Sequence, residues 1–124
     1  VGTSAVVVVA VFFLGMGLYG LVAPAALVRP FALVADRPES RSEVRAVYGG
    51  FGVATAAVLG ATLVLPGMRP GVVLTVAVML LGMAAGRVIS RLVDRPVALY
   101  PIWFYCGVEV VAALVLVLPT IVLA

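Results

Sequence analysis

The sequence contains no lysine, histidine, asparagine or glutamine, and only one cysteine. Without histidine it lacks the commonest metal ligand and the usual acid–base group at neutral pH. A lone thiol, Cys106, excludes an intrachain disulfide and any Cys-x-x-Cys redox or zinc motif. No metal site or cofactor is therefore expected. Charge is scarce too: 10% of the 124 residues are charged, against 65% hydrophobic. Average globular usage is about half apolar and a quarter charged. A soluble domain of this length could not cover so much apolar surface. The composition therefore specifies an integral membrane protein, read as one domain over residues 1–124.

All eight cations are arginine, and the formal net charge is +3. They lie beside hydrophobic spans, so no basic face remains for nucleic acid. Their distribution reads as topology instead.

What the chain has in abundance is long apolar runs. Four of them approach the ~20 residues that a helix needs to cross the hydrocarbon layer. They fall at about 3–23, 44–65, 72–93 and 102–123, each bounded by proline or glycine clusters such as "PGMRPG" and "DRP". The first run has no basic flank before it and exceeds a signal-peptide core, so it is expected to be a span. The stretch between the first two runs, about 24–40, begins apolar but is too short and proline-broken to cross. It is expected at the membrane interface. "SRSE" fits a capping box opening the second span, with Ser40 as N-cap and Glu43 reaching back from N3. The expected fold is all-α, a polytopic membrane protein built as a four-transmembrane-helix bundle.

Arginine placement predicts the orientation. Arg29, Arg37, Arg41 and Arg45 flank the first connection, and Arg87, Arg91 and Arg95 the third; only Arg69 flanks the second. The positive-inside rule then puts both termini on the non-cytoplasmic side. The expected location is the bacterial inner (plasma) membrane, multi-pass. "LGM" at 14–16 and 81–83, with "DRP" at 36–38 and 94–96, gives a faint parallel repeat of span, turn, span.

One carboxylate, Glu109, interrupts the last apolar run. An intramembrane charge costs ~2.5–3.5 kcal/mol even on the lenient insertion scale, so it should face a partner and not lipid. Helical rise puts Glu109 ~12 Å from the start of its span, and Arg87 ~9 Å from the end of the preceding one. The two are expected to pair. Helical periodicity extends the cluster, bringing Glu43, Arg45, Tyr48, Arg87, Ser90, Arg91, Tyr105 and Glu109 toward one cytoplasm-side pocket. Small residues are expected to let the helices approach: Gly49, Gly52 and Ala56 on the second span, Gly82 and Gly86 on the third.

Two readings of the cluster remain open. In one, Glu109 and Arg87 are a structural bolt that fixes helix register. In the other, the pocket binds something anionic or amphipathic, such as a lipid headgroup.

"SEVRAVYGGFG" at 42–52, "GRVISRLVDRP" at 86–96 and Glu109 in the last span give a recognisable pattern. It resembles an uncharacterised bacterial family of four-helix integral membrane proteins with a Glu-x-Arg-x-x-Tyr-Gly-Gly motif. Size and layout are similar to the DoxX-like group. The motif falls on Glu43, Arg45, Tyr48, Gly49 and Gly50, and a second on Gly86, Arg87, Ser90 and Asp94; Arg95 stands where that family often has glycine. The resemblance implies four helices and the same polar residues, and no defined activity. Some DoxX-like members are subunits of membrane redox enzymes, which favours an accessory role.

Three functions compete. The chain reads first as an accessory or structural subunit of a membrane complex, whose partners are the bilayer and either a larger complex or further copies of itself. Next comes a small-molecule transporter or ligand binder using Glu109. A lipid- or isoprenoid-modifying enzyme is third, since no nucleophile–base pair or metal set stands behind it.

Overall fold

The computed structural model describes residues 2–94 and 102–123, with side chains through Pro119. Arg95 and the side chain of Thr120 lie outside the described residues. The described residues form helices and connecting turns, without strands.

Helix α1 (Gly2–Val22) contains "VVVVAVFF", a run that would favour a strand in water. In lipid every backbone N–H and C=O needs a partner within the segment, so an isolated apolar run becomes a helix despite its β-branched residues. It ends where Pro24 disfavours helical geometry at Ala23. Helix α2 (Pro24–Val28) starts with that proline at its first position and tightens into a 3₁₀ turn over Arg29–Phe31. The turn closes on Ala32 in left-handed geometry, φ 59°. The Ala32 N–H donates to the Arg29 carbonyl (3.0 Å) and the Leu33 N–H to the Val28 carbonyl (3.4 Å). This is the paired bonding of a Schellman motif, with alanine in the usual glycine position.

Helix α3 runs unbroken over Pro38–Ala61. Its start corrects the expected cap. Arg37 is the N-cap, Pro38 takes the first helical position, and Ser40 is N3. Ser40 Oγ accepts from the Arg37 N–H (3.1 Å) and donates to the Arg37 carbonyl (2.9 Å). Proline pre-set for helical φ moves the start ahead of Ser40, and Glu43 is left on an exposed turn. Within α3, Arg45–Gly50 widen into a π turn, with the Phe51 N–H reaching back five residues to the Ala46 carbonyl. Helix α4 (Arg69–Asp94) follows a short 3₁₀ turn at Pro66–Met68, and α5 spans Phe104–Leu123.

The helices pack as two pairs, α1 with α3 and α4 with α5, which touch each other less closely. One core draws on all four, including Val6 and Phe13 of α1, Leu59 of α3, Leu80 of α4 and Leu116 of α5. A second, smaller cluster of Val28, Ala35 and Val44 folds the Pro24–Arg37 connection back onto the bundle end. That segment is thus a packed cap.

The α1–α3 contact is as close as backbones allow. A Cβ on Gly17 would lie 2.6 Å from the Val53 nitrogen, and one on Gly52 2.9 Å from the Gly17 Cα. Gly49 and Ala56 are buried on the same side of α3. Gly82 and Gly86 correct the expectation: among the described residues, a Cβ on either would meet nothing within 4 Å. They lie on the outer face of α4, because a small-xxx-small spacing marks a face without saying which way it points.

Three helices, α1, α3 and α4 with its preceding turn, are long and apolar enough to cross a membrane, and the apolar part of α5, Phe104–Pro119, is shorter. Only 33%, 28% and 28% of the residues in the three long apolar windows are buried inside the protein. The remaining side chains, Val8, Val11, Leu74 and Ile89 among them, are exposed around the bundle.

Candidate functional site

Arg87 projects from α4 and Glu109 from α5. Arg87 Nε donates to Glu109 Oε1 and Nη2 to Oε2, each at 2.9 Å. This two-pronged geometry matches guanidinium to carboxylate and is the strongest form of ion pair. The Glu109 side chain is 6% exposed and that of Arg87 20%. Glu109 therefore has no water to fall back on, whereas the arginine stem covers apolar surface and its head reaches the rim.

Aromatic rings complete the surroundings. The Arg87 guanidinium carbon lies 5.7 Å from the centre of the Phe31 ring and 5.9 Å from that of Tyr105, both within cation–π range. The Phe31 and Tyr105 rings are 5.4 Å apart. Phe31 ends the 3₁₀ turn that tightens the end of α2, just before the chain reverses at Ala32. On α3, the π turn rotates less per residue than an α turn and so shifts the phase of the side chains it carries. It aims Arg45 at α1, turns Tyr48 toward Arg87, and buries Gly49 against Leu21.

Between these elements lies a cavity of about 40 Å³, lined by Arg87, Glu109, Tyr48 and Tyr105 together with Phe31 and apolar residues of α1, α2 and α4. Four of the eight expected cluster residues thus meet. The other four do not. Arg45 donates from Nε to the Leu21 carbonyl (3.0 Å), one of the last carbonyls of α1, which have no partner within that helix. Glu43 lines a separate groove on the far side of Tyr48 and Val28. Ser90 and Arg91, one turn beyond Arg87, do not line the cavity.

Phe31 is the member that sequence reasoning missed. The available signal was an aromatic directly after Pro30, in a segment too short to cross, at the end of the bundle where the arginines gather. A search for hydrogen-bonding side chains passes over it, because its contribution to Arg87 comes from a ring face.

At the opposite end, Arg69 ties three elements together. Nη1 donates to Thr3 Oγ1 and Nη2 to the Thr62 carbonyl, each at 3.2 Å. Thr3 and Leu21 lie at opposite ends of α1, so Arg69 and Arg45 mark the two ends of the bundle, ~30 Å apart by helical rise.

Length, hydropathy and the buried ion pair define a helical protein of the multi-pass membrane class. More particularly, the chain belongs to the family described as Domain of unknown function (DUF4345), whose profile matches residues 2–119. No curated protein and no solved structure matches it.

Proposed function

We propose that the chain is a four-span protein of the bacterial plasma membrane, DoxX-like in layout, with both termini outside, and that it serves as a non-catalytic accessory subunit of a membrane complex. The observation that carries this reading is the closed Arg87–Glu109 pair. The two charges within the bundle meet through two hydrogen bonds, an arrangement that holds α4 and α5 together. The segregation of Arg69 from the other described arginines supports the orientation. The lipid-facing shell, with open space over Gly82 and Gly86, offers α4 as the face for a partner helix.

The test is native mass spectrometry of the protein extracted gently from its own membranes. A different protein in fixed stoichiometry is expected, and Gly86→Leu should release it while leaving the bundle's melting temperature within a few degrees, since a Cβ there meets no described atom within 4 Å. Recovery of the chain alone, or only with copies of itself, would overturn the accessory role.

A further inference from the structure

We propose that the cavity beside Arg87 and the groove between α1 and α5 together bind a single-chain carboxylic acid, its carboxylate on Arg87 and its hydrocarbon tail in the groove. This rests on the membrane-spanning reading above, and not on the accessory role.

Size selects the head. The cavity's 40 Å³ admits about three water-sized atoms, at roughly 10–15 Å³ each. A carboxylate has three heavy atoms; a phosphate has five. Arg87 spends Nε and one Nη2 hydrogen on Glu109, leaving three of the guanidinium's five donors outside that pair.

Adjacency supplies the tail. The groove holds about 440 Å³ and is walled by residues such as Val8, Val111 and Val115, with no charged side chain. Phe12 lines both groove and cavity. Its ring lies 5.9 Å from that of Phe13, which faces the cavity, and Phe104 in the groove lies 5.2 Å from Tyr105. The two spaces are neighbours separated by one layer of rings, which must part for a tail to pass from one to the other. Gly107 keeps the groove open, since a Cβ there would meet no described atom within 4 Å.

Charge balance fixes the stoichiometry. Arg87 and Glu109 are neutral together, so a bare carboxylate would bury a net negative charge, a costly state. One proton enters with the ligand and is held between the two carboxylates, which cannot both stay ionised at close range. Among the described residues, the other ionisable groups beside the pair are Tyr48 of α3 and Tyr105 and Cys106 of α5; α1 and the Pro24–Phe31 segment present only apolar and aromatic side chains to the cavity.

Palmitate is the probe, added to the full chain in non-ionic detergent and followed by native mass spectrometry and calorimetry. One palmitate per chain is expected, with hexadecanol and lysophosphatidylcholine weaker by about tenfold or more, the worth of a charge-assisted hydrogen bond. Calorimetry in buffers of different ionisation heat should give one proton taken up per palmitate. Gly107→Leu should block the tail, and Arg87→Gln with Glu109→Gln, which leaves no orphan charge to unfold the bundle, should lower affinity by about tenfold. Failure of the wild type to retain palmitate, equal binding of hexadecanol, undiminished binding by the double variant, or no proton uptake would each overturn the proposal. A partner subunit recovered without palmitate binding would leave the accessory role standing and remove this one.

Discussion

A carboxylate 4% exposed among apolar side chains is tolerable only when a cation meets it with good geometry, and Arg87 meets Glu109 through both oxygens. Depth arithmetic made this pair legible in the sequence, because the cost of an unpaired charge in lipid leaves few solutions. Ala32 carries a different constraint. An alanine at φ 59° bears ~1–2 kcal/mol of steric strain, which the packed cap of Val28, Ala35 and Val44 holds in place. Ala32→Gly should relieve that strain and lose ~0.4–1 kcal/mol to added freedom in the unfolded chain, a net gain of ~0.5–1 kcal/mol. Thermal unfolding in detergent should show a small rise in melting temperature, and a fall would mean that the cap is not held as described. The strain itself was invisible in the sequence. Nothing in "FALVA" marks which residue turns left-handed, since the choice is made by what the returning chain packs against.

Helix α3 illustrates what element-scale patterns do and do not encode. Its apolar length announced a helix, and Gly49, Gly52 and Ala56 shared one face on a 3.6-residue count. Within the π turn at Arg45–Gly50, Arg45 stays on the α1 side with Gly49 and Gly52 and reaches the Leu21 carbonyl, whereas Tyr48 lines the cavity. A periodic reading assumes one helical repeat throughout and cannot foresee a local widening. Glycine spacing has the same limit. Gly17 and Gly52 are pressed against backbone, whereas Gly60, Gly82 and Gly86 have free space. Gly17→Ala should therefore cost ~1–3 kcal/mol by forcing α1 from α3, while Gly60→Ala should be neutral or stabilise by up to ~1 kcal/mol. Detergent melting curves of the two variants check this. Equal effects would contradict the close α1–α3 contact.

For the whole molecule, two helix pairs meet along looser seams, and the cap from Pro24 to Phe31 closes one end over the ion pair. The class of protein was plain from composition, because a chain with so few charges has only lipid to face. Which helices pair most closely was not, since each apolar face is compatible with several neighbours; glycine contacts decide α1 with α3, and the Arg87–Glu109 pair ties α4 to α5. The Arg87–Glu109 pair is what stands between α4–α5 register and a buried orphan charge. The most direct test is a double-mutant cycle on purified protein: Arg87→Ala, Glu109→Ala and both together, compared by melting temperature. Arg87→Ala alone should cost ~3–5 kcal/mol by stranding Glu109, and removing both charges should recover part of that loss. A double variant that melts no higher than Arg87→Ala would contradict the claim that this pair locks the bundle.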